Sequence, residues 1–181
     1  MKLGLISLGC PKNLVDSEVM LGIIEKYNIE ITNDPEAAEI IIVNTCGFIE
    51  SAKQESIETI LSMAAYKTEG CCRYLIVTGC LAQRYAQELF QDMPEVDAVV
   101  GTNVYKDIAR VMERVMQGRR VLHLKEDDLP ALEKSKPRRI IPVVHIVPKP
   151  DEVSPAERRR IEEALFDIFS KYERNIRTME V

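Results

Sequence analysis

No apolar run in the 181 residues approaches the ~18 that a membrane-crossing helix needs, so no membrane span is expected. The opening MKLGLISLGC holds one lysine and a short apolar stretch, and the loop and charged helix that follow are unlike a cleaved signal. A β-strand is the expectation there. Net positive charge is missing too. A formal charge of −5 and a pI near 5.2 argue against a nucleic-acid footprint over the whole surface, and direct nucleic-acid binding is not expected. The local basic stretches, 134–139 and 158–160, read as a solvated linker and a solvated helix face. Five cysteines, an odd number without a secretory signal, point to a reduced, cytoplasmic protein and not to a disulfide framework. Low-complexity tracts are absent.

What is present is an apolar content of 46%, enough for a real core, and a charged content of 29%, enough for a soluble surface. The first ~122 residues alternate strand and helix signals, the mark of a mainly parallel sheet with crossover helices. Strands are expected at 2–8, 29–31, 39–44, 74–78 and 97–100, with an edge strand at 120–124. The run Ile40-Ile41-Ile42-Val43 suggests burial on both faces. A helix is expected over 14–27, with Asn13 as N-cap and Val15, Val19, Ile23 and Tyr27 on its inward stripe. Asp34-Pro35-Glu36 reads as a brief helical turn. Further helices are expected at 49–67, with Ile57, Ile60, Leu61 and Ala64 inward, at 81–91, and at 104–117, ended by Gly118. The fold class that results is α/β, a three-layer Rossmann-like domain with a mainly parallel sheet of five or six strands.

From residue 125 the character changes. Residues 125–140 are charged, carry Pro130 and Pro137, and read as a linker. Residues 141–181 form a tail, in which 140–147 suggests an edge strand broken by Pro142 and Pro148. Ser154, Pro155 and Glu157 make a helix start with a capping box, and Ile161, Leu165, Ile168, Phe169 and Tyr172 make an apolar stripe. A helix over 155–173 must therefore dock on its own domain, on a partner or on another copy.

Cys10, Cys46 and Cys80 share one context. Each follows an apolar strand-like run, touches a glycine and precedes a helix-like run: LISLGCPKN, IIIVNTCGF and LIVTGCLAQ. In an α/β protein, strand-to-helix transitions lie along one edge of the sheet, so three distant thiols can meet in one crevice. Thiolates bind soft iron–sulfur cores, and a helix N-terminus favours the thiolate. Gly9, Gly47 and Gly79 remove side-chain bulk beside the three thiols, and Asn13 and Asn44 are candidates for supporting hydrogen bonds around a cluster. Three protein ligands instead of four would leave an open position, as reactive metal sites do. Buried, inert cysteines are the competing reading. Cys71 and Cys72 lack the pattern and read as incidental. His123 and His145 read as structural or surface residues, although a zinc site completed by either remains a third reading.

The segments GCPKNLVDSE, NTCGFIESAKQES, TGCLAQRY and VVGTN resemble the radical S-adenosylmethionine methylthiotransferases over roughly residues 1–139. Pro11-Lys12 and Gly47-Phe48-Ile49-Glu50 are most similar to the branch that modifies an aspartate of a small-subunit ribosomal protein. A tRNA-adenosine methylthiotransferase is the alternative branch. The resemblance implies that residues 1–124 are the N-terminal auxiliary-cluster domain, that Cys10, Cys46 and Cys80 hold a 4Fe–4S cluster with an open iron, and that a ribosomal protein is the substrate. S-adenosylmethionine would be handled by a radical barrel, in cis or in trans. The barrel's C-x3-C-x2-C motif is absent, because no cysteine follows Cys80. A truncation, a fusion and a naturally short relative all accommodate this. By that reasoning the chain alone is inactive and has no catalytic residues of its own, and a non-catalytic iron–sulfur or partner-docking module is the reading from a different class.

Overall fold

A computed structural model describes residues 1–125, together with Arg159 and Glu163, both helical and exposed. The expected linker beyond residue 125, the strand at 140–147, His145 and the body of the 155–173 helix lie outside the described residues.

Six strands form one sheet: β1 (Lys2–Ser7), β2 (Glu30–Ile31), β3 (Ile40–Thr45), β4 (Tyr74–Gly79), β5 (Ala98–Val100) and β6 (Val121–His123). Their spatial order is β2-β1-β3-β4-β5-β6, and every pairing is parallel. Parallel strands need crossovers, and covering both faces with helices is what lets an all-apolar strand such as Ile40–Val43 form. Odd and even residues of that run divide cleanly. Ile41 and Val43 face a core completed by α2 (Glu50–Glu69), α3 (Cys80–Arg84) and α4 (Ala86–Asp92). Ile40 and Ile42 face a second core completed by α1 (Pro11–Ile24) and α5 (Ile108–Met116). The result is the three-layer α/β arrangement expected from the sequence, with six strands, all parallel, among the described residues.

The chain leaves β1 toward β2 on one side and returns to β3 on the other. The order of direction therefore reverses between β1 and β3. That switch point opens a crevice beyond the carboxyl ends of these two strands, where ligands of open α/β sheets bind.

Several local expectations are corrected. Helix α1 begins at Pro11, with Cys10 as the residue before its first turn and Asn13 inside it. Pro11 suits a first helical position because its missing N–H would go unpaired there anyway. The earlier start rotates the buried face: Val15 and Tyr27 are 55% and 44% exposed, while Asn13, Ser17, Met20 and Ile24 point inward. The helix ends at Ile24, and a 3-10 turn over Glu25–Tyr27 carries the chain to Asn28 at φ 55°. Residues 81–91 are two short helices broken at Tyr85, whose side chain is almost wholly buried, and residues 104–107 enter α5 through a 3-10 turn over Tyr105–Asp107. Around Pro35 the chain makes a turn and no helix: the Glu36 N–H donates to the Asp34 carboxylate and the Ala38 N–H to the Pro35 carbonyl. In α2, Ile57, Ile60 and Ala64 are buried and Leu61 half-buried, as expected, and Gly70 ends the helix. Val104, Ile108, Val111, Met112 and Val115 all face the core.

Candidate metal centre

β1, β3 and β4 are consecutive in the sheet, and their register sets Ser7 level with Asn44 and Asn44 level with Thr78. Neighbouring strands lie about 4.8 Å apart, so the three strand ends that lead to Cys10, Cys46 and Cys80 span only about 10 Å. Cys10 immediately precedes α1, Cys80 is the first residue of α3, and Cys46 sits in the loop between β3 and α2. Cys10 is exposed, Cys80 half-buried and Cys46 buried.

The glycines clasp these loops together. Gly9 has φ +89°, and a β-carbon there would stand 2.5 Å from Cys46 Cβ and 2.6 Å from its Sγ. A β-carbon on Gly47 would lie 3.0 Å from the backbone N and Cα of Leu81 and 3.3 Å from the Cys80 carbonyl carbon. Gly79 has φ +97°, and its β-carbon would strike the Thr45 carbonyl at 2.3 Å. Each glycine thus makes room for the neighbouring cysteine loop, a packing role beyond exposing N–H groups.

Polar side chains then tie the loops. Asn13 Nδ2 donates to the carbonyls of Leu8, at 2.8 Å, and Thr45, at 2.9 Å. Asn44 Nδ2 donates to the Asn13 carbonyl, at 2.8 Å, and to Ser17 Oγ, at 2.9 Å. Both asparagines are buried, and these bonds run to protein groups that fix the loops. Thr45 Oγ1 donates to the Thr78 carbonyl and accepts from the Ala82 N–H at the start of α3. Ser56, on the buried face of α2, accepts from the Cys46 N–H at 3.0 Å and donates to the Cys46 carbonyl at 2.8 Å. Ser17, Thr45 and Ser56 were missed by sequence reasoning. The signal was available: Ser17 and Ser56 interrupt otherwise buried helix stripes, and a buried hydroxyl needs a partner.

Burial, first, and the neighbouring Cys46, second, push the Cys80 thiol above its ordinary value; Lys12 opposes the shift, and Cys10 and Asp16 add to it. The Cys80 thiol therefore feels both of the other two. Burial thus outweighs the favour a helix N-terminus gives the thiolate. Lys12 forms an ion pair with Asp16 one helical turn on, and its ammonium stands 6.0 Å from the centre of the Tyr105 ring.

Among the described residues, no three Cys, His, Asp or Glu side chains are close enough to hold one metal ion. Sulfurs around one tetrahedral zinc lie about 3.8 Å apart, given bonds of ~2.3 Å. An iron–sulfur cubane takes each thiolate on a different iron and needs no such convergence. His123 is wholly buried and engaged with the Asp107 carboxylate at 3.0 Å. Cys72 lies in the core, its Sγ against the Tyr74 carbonyl, and Cys71 is exposed.

A family model described as uncharacterized protein family UPF0004 matches residues 2–101. The chain belongs to this family. It is the N-terminal domain family of the methylthiotransferases, as the resemblance in the sequence implied. Among curated relatives, ribosomal protein uS12 methylthiotransferase RimO of Acetivibrio thermocellus is 66% identical over 112 residues, which are 62% of this chain and 24% of that protein. The protein of the same name from Pelotomaculum thermopropionicum is 56% identical over 121 residues, 67% of this chain and 27% of that one. For Desulforamulus reducens the identity is 51% over 136 residues, 75% of this chain and 31% of the relative. The chain thus spans about a quarter to a third of the curated relatives it matches. Among the described residues, no helix is long and apolar enough to cross a membrane.

Proposed function

We propose that this chain is the auxiliary-cluster part of a methylthiotransferase that modifies an aspartate of ribosomal protein uS12, with residues 1–124 as the cluster domain and Cys10, Cys46 and Cys80 each ligating one iron of a 4Fe–4S cluster. The observation that carries this reading is that the three strand ends leading to these cysteines lie side by side at the switch point of the sheet, their loops clasped by Gly9, Gly47 and Gly79. When bound by three cysteines, such a cluster supplies an iron position open to an exchangeable sulfur ligand. Everything else falls to the protein's own side chains. Asn13, Asn44, Thr45 and Ser56 hold the loops at fixed spacing, and Lys12 brings a positive charge to the crevice. The names of the relatives support the ribosomal-protein branch over the tRNA-adenosine branch. In this reading S-adenosylmethionine cleavage belongs to a radical barrel, whose C-x3-C-x2-C motif does not occur in the 181 residues given.

Anaerobic reconstitution with iron and sulfide tests the proposal. The chain should take up about four irons with matching sulfide and develop a broad brown absorbance. Cys10→Ala, Cys46→Ala and Cys80→Ala should each lose most of the iron, whereas Cys71→Ala and Cys72→Ala should keep it. Equal iron in the two groups of variants would refute the assignment.

A further inference from the structure

The cysteines lie at the carboxyl edge of the sheet. At the opposite edge, where the strands begin, a cleft opens between the ends of α1 and α5. Its walls include Met1, Ile24, Tyr27, Met112, Glu113 and Met116, and its volume is about 130 Å³. Met1, Tyr27 and Met116 are 40%, 44% and 43% exposed, so large apolar side chains here face water. Glu113 is the one charged side chain in the lining, and it is exposed. The Met1 ammonium is engaged elsewhere, with Glu39 at 3.6 Å. An apolar cavity of about 150 Å³ takes a benzene ring, so this cleft has room for one large apolar side chain. Methionines, with their flexible thioethers, adapt to such an insertion.

The same chain supplies a complement. In the sequence of residues 155–173, Ile161, Leu165 and Ile168 fall at i, i+4 and i+7, the anchor spacing of a helix that lies in a groove. Phe169 and Tyr172 extend the stripe. Arg159 and Glu163 are helical and exposed. At about 100° per residue, both fall on the side of a helix opposite that stripe. Arg158, three residues before Ile161, falls on the apolar side and brings the charge that matches Glu113. The distance is no obstacle. The 29 residues between Lys125 and Pro155 reach up to about 100 Å when extended, whereas a six-residue strand is only about 20 Å long. The chain can therefore pass from the carboxyl edge, where β6 ends, to the amino edge.

We propose that residues 155–173 dock as a helix on the cleft between α1 and α5 of their own domain, with Leu165 as the anchor and Arg158 facing Glu113. The occupant is this segment of the same molecule, and the docked helix leaves the cysteine edge of the sheet open. The inference is independent of the cluster reading, since neither the cleft nor the helix contains a proposed ligand.

Photocrosslinking of the full chain tests it. The photoreactive residue p-benzoylphenylalanine replaces Phe169, one turn beyond Leu165, and peptide mass spectrometry locates the product. The cross-link should fall within one molecule, on peptides that hold Tyr27, Met112 or Met116. The same probe in place of Glu163, on the exposed side, should give no product there. Cross-links at Phe48 and Ile49, cross-links between copies only, or no product at the cleft overturn the proposal. Hydrogen exchange adds a second measurement. Met116→Lys alters a surface position and puts a charge at the mouth of the cleft. It should speed amide exchange over residues 161–172 by about 10-fold or more, the effect of losing one buried apolar contact. Glu113→Arg should speed it by about 3-fold, and adding Arg158→Glu should restore the parent rate. Exchange over 161–172 that is unchanged in Met116→Lys, or that in the parent already matches an unfolded peptide, overturns the proposal.

Discussion

Gly9 and Gly79 combine two constraints that a side chain cannot meet. Both have positive φ, and at both a β-carbon would run into a neighbouring cysteine loop. Gly118 also has positive φ, +79°, but faces open space. The three therefore separate backbone strain from crowding. Gly118→Ala should cost about 1–2 kcal/mol of stability, the price of the left-handed conformation alone. Gly9→Ala and Gly79→Ala should cost about 2–4 kcal/mol, because strain adds to a collision with the Cys46 side chain at Gly9 and with the Thr45 backbone at Gly79, and both should lose iron uptake. Urea unfolding of the three variants checks the order, and a Gly79→Ala loss no larger than that of Gly118→Ala would show that the clasp is loose. Cys72 offers a second test at this scale. Burial, above all, pushes its thiol up to about 11 from an ordinary 9.0. The folded state thus holds this proton more tightly than the unfolded chain does. Its stabilising contribution is complete below pH 9 and disappears as pH climbs toward 11, so Cys72→Ala should flatten the fall in unfolding midpoint across that window. In the sequence, the glycines were legible as neighbours of the cysteines. Their true contacts were not, because a glycine's partner is set by tertiary approach and leaves no trace in its own surroundings.

At the scale of elements, the strands were the most legible parts. Ile40–Val43 and Leu75–Val77 can only be central strands, since a continuous β-branched or leucine run has no polar side to give to water. Helix α1 was less so. Its apolar residues allow more than one stripe, and the true buried face carries Asn13, Asp16 and Ser17, polar residues that periodicity alone assigns to solvent. Asn13 and Ser17 meet Asn44 at the end of β3, and Asp16 pairs with Lys12. Asn44 therefore ties β3 to α1. Asn44→Ala removes both hydrogen bonds of its amide and leaves the Asn13 carbonyl short of a donor, a loss of about 2–3 kcal/mol. Asn44→Asp should be worse than Asn44→Ala, since a carboxylate would face the Asn13 carbonyl where a donor is needed. Thermal unfolding ranks the pair, and the reverse order would mean that the site relaxes to admit a charge.

For the whole molecule, the decisive fact is what the described fold contains and what it lacks in sequence. The proposed cluster would use three cysteines at one sheet edge, and the 181 residues given hold no C-x3-C-x2-C motif. Incubated with S-adenosylmethionine and a reductant after reconstitution, it should form no deoxyadenosine above the protein-free control. Robust product would place radical chemistry in a fold that has no motif for it. The family was legible because its motifs sit where strands become helices, the positions that chemistry and not packing dictates. One consequence follows from the register of the sheet. The three thiols lie 36 and 34 residues apart in the chain, yet on consecutive strands in space. The third cannot reach the others until β4 has docked on β3, which brings most of both cores with it. On the proposed reading, cluster loading would report on folding: a chain stalled or cut before residue 80 holds only two of the three proposed ligands, and loading waits until β1, β3 and β4 have paired.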